Sequence, residues 1–187
     1  LGLADRFLLD EQQDEMLEGL LQLNWQEQTA MQLNSLFKAL AQEAASQQPE
    51  PQWLPRRPQI DEWLDVGDVR GAWRALSQLR EHADPLFSRA GKTLSEGCPL
   101  TAHLVWEQIR RARHLSLSQV FQMEYTLSLN CCRHPEFSEG VRARLIDKDQ
   151  QPHWHWPDIK RIPEAVVEAH FHKAWEGRHP LADLSDL

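Results

Sequence analysis

The sequence predicts an all-α chain built of short to medium helices. Three observations point there. Leu, Ala, Gln, Glu and Arg dominate the composition, and they favour helix. Apolar residues recur at three- and four-residue spacing, and no stretch alternates as a strand would. Glycine is scarce, with 8 in 187 residues. The hydrophobic fraction of 41% and charged fraction of 26% describe a chain with a real core rather than a disordered one.

Residues 10–23 carry Met16, Leu17, Leu20, Leu21 and Leu23 at helical spacing, with acidic residues crowding the front, where the helix dipole favours them. A second helix is expected over 27–46, its apolar side made by Met31, Leu33, Leu36, Phe37 and Leu40. Pro49, Pro51, Pro55 and Pro58 then rule out a continuous helix, so 49–58 reads as a loop pinned by Trp53 and Leu54. Shorter helices follow: 59–66, ending at Gly67; 68–79, with Asp68 as N-cap; and 84–97, with Asp84 as N-cap and Pro85 at the first helical position. After a Gly-Cys break come 99–113, then 116–132 capped by Ser116 or Ser118, then 134–145 and 163–175. These helices are short to medium in length, and no internal repeat occurs.

Composition also bounds function. The net charge is −8, and residues 1–50 hold nine acids against Arg6 and Lys38, so nucleic acid is a poor partner. No apolar run approaches the roughly 20 residues of a membrane span. Three cysteines, Cys98 and the adjacent Cys131 and Cys132, make no disulfide framework and suggest a reducing compartment. The opening "LGLADRF" has neither methionine nor a signal-peptide pattern, which suggests a chain that starts inside a domain, with any targeting segment upstream. The expected location is cytoplasmic, or mitochondrial if a transit peptide precedes it.

Candidate chemistry is sparse. His153 and His155, His170 and His172, and the group Cys131, Cys132 and His134 are the metal-ligand residue types. An i, i+2 histidine pair suits a strand, not a helix, and neither CxxC nor HExxH occurs, so no metal is expected and surface or half-buried histidines are. No GxSxG or Gly-rich phosphate motif occurs, and the cysteines read as small buried hydrophobes. Arg110, Arg111 and Arg113 read as a solvated helix face, with a phosphate or acidic-partner site as the sharper alternative. Glu124 sits on the apolar stripe "VFQMEYTLSL", where an acid needs a partner. Arg142 or Arg144, one helix later, is the expected one.

One block is more particular. "VFQMEYTLSLNCCRHPEFSEGVRARLIDKDQQPHW", residues 120–154, holds Met123, Glu124 and Tyr125; Glu139 to Ala143; Leu145 to Asp149; Pro152 and Trp154. In this order they resemble the C-terminal region of the 3-hydroxyisobutyryl-CoA hydrolase branch of the enoyl-CoA hydratase/isomerase (crotonase) family. "LGLADRFL" is similar to the segment that follows that family's active-site region. "GCPLTAHLVWEQIRRAR" resembles a family helix start from which Cys98 and Leu100 depart, and His170 and Phe171 match the usual ending. The likeness is dense over 94–171 and thin over 25–90.

The resemblance implies the C-terminal helical part of a crotonase-like (ClpP/crotonase) fold, with little or no sheet. Residues 1–48 would be the tail of the crotonase core and the following helices, 49–58 a Pro-rich loop and 59–187 a C-terminal helical domain that caps the active site and supports assembly. "EGVRARL" would be a closing helix, and "IDKDQQPHW" a turn and an extended arm packing back on it. Asp147, Asp149 and Pro152 would stop the helix, and Trp154 and Trp156 would anchor the arm.

The implied activity is hydrolysis of a CoA thioester, 3-hydroxyisobutyryl-CoA in valine breakdown, by an oxyanion hole and a carboxylate. Those groups would lie upstream, so no residue of this chain is assigned a catalytic role. No cofactor is implied, coenzyme A being part of the substrate. The implied partners are the acyl-CoA, the N-terminal core and other copies in a homo-oligomer. An enoyl-CoA hydratase or isomerase is the alternative within the family; a non-catalytic helical interaction module is the alternative outside it.

Overall fold

A computed structural model describes residues 4–185, so the first three residues of the "LGLADRFL" likeness lie outside the described residues. Nine α-helices and no strand occur among those residues. They are α1 Gln13–Gln22, α2 Thr29–Ala44, α3 Arg57–Leu64, α4 Val69–Ser77, α5 Pro85–Glu96, α6 Pro99–Ala112, α7 Leu117–Arg133, α8 Pro135–Val141 and α9 Glu164–Phe171. The chain divides into two compact units, Leu1–Ile60 and Asp61–Leu187.

In the first unit α1 packs on α2. Gln12, in the 3-10 turn that leads into α1, is the buried polar link: its Nε2 donates to the Leu40 carbonyl at 3.1 Å, and its Oε1 accepts the Leu9 N–H at 3.0 Å. Leu40 and Ala44 are buried, whereas Leu17, Leu21 and Met31, expected on the apolar faces, are exposed, Leu21 at 84%. The Pro-rich stretch is not loop throughout. A 3-10 turn covers Leu54–Arg56 and α3 begins at Arg57, because Pro58 falls in the first turn, where no intrahelical N–H is required.

The core of the second unit joins Val69 of α4, Leu100 and Leu104 of α6, Leu127 of α7, Val167 of α9, and Ile159 and Ile162 around the 3-10 turn Ile159–Arg161. Local chemistry sets the helix starts. Asp68 Oδ1 accepts the Gly71 N–H at 2.7 Å, and Asp84 Oδ1 accepts the Leu86 N–H at 2.9 Å. Of the two candidate serines, Ser116 is the N-cap of α7, and Gln119 returns a bond to its backbone in a capping box. Helix α5 lies against the 3-10 turn Gln78–Glu81 so closely that a Cβ on Gly91 would sit 2.5 Å from the Arg80 nitrogen.

The last two helices depart from expectation. The helix expected over 134–145 is α up to Val141 and then widens into a π-turn, Arg142–Ile146. It is not the closing helix, since α9 follows. The helix expected over 163–175 stops at Phe171. There the Asn130 side chain of α7 donates to the carbonyls of Ala169, His170 and His172, and Arg133 donates to that of Ala174. Carbonyls satisfied by side chains need no further helical turn.

Candidate functional site

The block "EGVRARLIDKDQQPHW" folds into one arrangement centred on Arg142. A guanidinium has five N–H donors in a planar fork, and here each has an acceptor. Nε and Nη2 donate to Glu139 at 2.9 and 2.8 Å. Nη1 donates to Asp147 at 2.7 Å and to Asp149 at 2.6 Å, and Nη2 also reaches the Gln151 carbonyl at 3.0 Å. The hydrogen bond from Arg142 lowers the Glu139 carboxyl to about 2, helped by the N–H of His153. Asp149 is lowered mainly by the same guanidinium, and Arg142 itself is held charged, above its ordinary value, by these carboxylates.

The expected turn chemistry is therefore only part of what Asp147 and Asp149 do. Asp149 accepts the Gln151 N–H at 2.8 Å in a local turn, but both carboxylates chiefly clasp Arg142. The chain reverses through Lys148 and Gln150, at φ 56° and 59°, and the Gln150 N–H returns to the Ala143 carbonyl. These left-handed residues are neither Gly nor Asn, the types that adopt such φ most readily.

Beyond the turn, residues 152–157 run back along α8 as an extended arm. An extended segment without a sheet leaves its N–H groups unpaired, and here helix carboxylates take them. Glu139 Oε1 accepts the His153 N–H at 2.6 Å. Glu136, only 6% exposed, accepts the N–H groups of His155 and Trp156, both at 3.2 Å. Trp154 lies over Gly140, close enough that a Cβ there would stand 3.4 Å from its ring. Trp156 stacks on His134 with centroids 5.5 Å apart and packs against the core cluster. Both tryptophans hold the arm to α8 and its surroundings.

The other candidates separate. Glu124 accepts a hydrogen bond from Gln108 of α6, not from Arg142, whose donors are taken, nor from Arg144, which is exposed. Arg110 pairs with Glu107 on its own helix at 2.7 Å. Arg111 is not a solvated residue: it ties α6 to α9 through Glu168, with its guanidinium 4.0 Å from the Phe171 ring centroid. Arg113 is exposed. His170 is buried while His172 lies past the end of α9, and His170 comes 5.0 Å from His134. Burial raises the thiols of Cys98 and Cys131. Among the described residues, no group of three or more His, Cys, Asp or Glu is placed to hold a metal ion.

Glu136, Asn130 and the cap made by His134 lie outside the residues the sequence singles out. "HPE" at 134–136 carried a signal, since a polar residue followed by Pro and an acid marks a helix start. Chemically, the clasp is a saturated charge network: three carboxylates around one cation, with the fork fully occupied. It fixes backbone geometry and presents Leu145 and Ile146, 67% and 70% exposed, to the outside.

The family model described as enoyl-CoA hydratase/isomerase matches residues 1–171. The mitochondrial 3-hydroxyisobutyryl-CoA hydrolase of Danio rerio is 34% identical over 112 residues, which are 60% of this chain and 28% of that protein. The Homo sapiens protein of the same name is 39% identical over 96 residues, 51% of this chain and 25% of that one. Among solved structures, a carnitinyl-CoA dehydratase from Mycobacterium thermoresistibile superposes with a TM-score of 0.68 at 26% identity, covering 91% of this chain and 45% of that one. An enoyl-CoA hydratase from Rhodobacter sphaeroides 2.4.1, at 21% identity and TM-score 0.66, shares the fold. The chain thus spans less than half the length of these relatives.

Proposed function

Because this chain belongs to the enoyl-CoA hydratase/isomerase family, we propose that it is the C-terminal helical region of a CoA-thioester hydrolase acting on 3-hydroxyisobutyryl-CoA, a step of valine breakdown. The observation that carries this reading is its 34% and 39% identity to two hydrolases of that name. The "EGVRARLIDKD" block adds support, since in this fold it forms one connected unit.

In this reading the catalytic groups belong to the part of the protein that residues 1–187 do not cover. Thioester hydrolysis needs donors placed for a developing oxyanion and a positioned acid or base. The carboxylates gathered here are committed to Arg142 and to the arm. Residues 1–48 are the tail of the core, and 59–187 form a helical domain that caps the active site and supports assembly of copies. Exposed Phe137, Leu145 and Ile146 are apolar residues such a docking role would cover. The names of both hydrolases include "mitochondrial", which favours that location over the cytoplasm for the whole protein.

The second reading, a hydratase or isomerase of enoyl-CoA, is favoured by the solved structures that superpose on the chain. Thiol release from 3-hydroxyisobutyryl-CoA, assayed with the full-length protein beside residues 1–187 alone, decides. Turnover by the full-length protein and none by the fragment is the expected result. Comparable turnover by the fragment overturns the placement of the active site. A full-length protein that only hydrates enoyl-CoA moves the function to the second reading.

A further inference from the structure

His134 occupies the N-cap of α8, and its Nδ1 accepts the N–H of Glu136 at 3.3 Å. An imidazole nitrogen accepts only when it carries no proton, so this cap requires the neutral ring with its proton on Nε2. Glu136 is also the residue whose buried carboxylate takes the N–H groups of His155 and Trp156. Its backbone end is therefore held by His134 while its side-chain end holds the arm. The His134 ring closes the same assembly from outside the helix, stacked on Trp156 with 29° between the planes.

A second proton on His134 would break the cap. Nδ1–H would face the Glu136 N–H, donor against donor, and a positive charge would stand at the positive end of α8. The groups around it are these. His170 of α9 lies 5.0 Å away between ring centroids, and His155 of the arm meets Trp156 edge-on at 4.4 Å. Glu136 on the helix itself favours the charged ring, and burial, His170 and His155 oppose it. From α7, Arg133 is engaged with the Ala174 carbonyl, and the Cys131 thiol, like Cys98 of the α6 cap, is kept protonated by burial. The balance holds His134 below the ordinary histidine value, with burial the largest cause.

We propose that His134 is an acid-sensitive latch: its neutral ring closes the first turn of α8 and, through Glu136, the arm 152–157, and a second ring proton opens both. A ring held below its ordinary value contributes stability that is complete above the unfolded value of 6.5 and is lost as pH falls through the lower folded value.

The test is hydrogen exchange of the full chain from about pH 7.5 to about pH 5, corrected for intrinsic rates, beside His134→Asn, whose amide oxygen caps at every pH. Protection of 134–141 and 152–157 should fall together by about tenfold or more on acidification, and stay level in the variant. Wild-type protection that does not change, or an equal fall in H134N, overturns the latch. Long-range proton–nitrogen spectra of the wild type give an independent reading should H134N fail to fold. The Nε2–H tautomer at about pH 7.5 is expected, and an Nδ1–H tautomer there overturns the proposal.

Discussion

Glu139 and Arg142 stand one helical turn apart and meet fork to fork, with two parallel hydrogen bonds of 2.9 and 2.8 Å. That geometry leaves Nη1 free to gather Asp147 and Asp149 from the far side of the turn. Replacing Arg142 with Ala strands three carboxylates beside one another, and replacing it with Lys supplies a point charge with too few donors for five acceptors. Urea denaturation should show a lower midpoint for R142A, with R142K between it and the wild type. An R142K midpoint equal to wild type would mean the fork geometry contributes nothing.

The clasp should also show in the acid limb of stability. Glu139 is lowered from 4.5 to about 2, and Asp149 is lowered from 3.8. Carboxylates lowered on folding stabilise above their unfolded values and lose that contribution as pH falls toward the folded ones. Between about pH 4.5 and pH 2 the wild-type urea midpoint should therefore fall more steeply than that of R142A. Parallel curves for the two proteins would remove the clasp as the cause.

Trp154 and Gly140 make a paired prediction. Trp154→Ala removes a half-buried ring and should cost about 1–3 kcal/mol, less than the full-burial value. Gly140→Ala places a Cβ 3.4 Å from the same ring, an ordinary contact, and relieves a helix of its glycine. It should be neutral or stabilise by up to about 1 kcal/mol. Thermal unfolding of the two variants checks both signs.

Gly91 should behave oppositely. A Cβ there meets backbone, 2.5 Å from the Arg80 nitrogen and 2.7 Å from the Leu79 carbonyl carbon, and backbone cannot swing aside. Gly91→Ala should destabilise by roughly 2–3 kcal/mol despite the better helix former, because α5 must move off its turn. An unchanged melting temperature would show that this approach has slack.

What the sequence made legible was local. Asp68, Asp84, Pro85 and Ser116 mark helix starts because capping acts within three residues. The end of α9 was not legible, since it depends on Asn130, about 40 residues earlier in the chain. Glu124 takes Gln108 rather than the expected Arg142 or Arg144, because the five acceptors of Arg142 all lie within nine residues of it. Those acids stood in plain view in "EGVRARLIDKD". What hid their role was the reversal at Lys148 and Gln150, residue types that give no turn signal yet take left-handed φ.

The clasp and arm have a consequence for how the chain acquires its shape. Each hydrogen bond that builds them joins residues no more than 20 apart, the longest running from Trp156 to Glu136. Closing so short a loop costs little entropy and requires no distant segment to be in place. The stretch from His134 to Trp156 is thus able to organise itself early, even while a chain is still being synthesised.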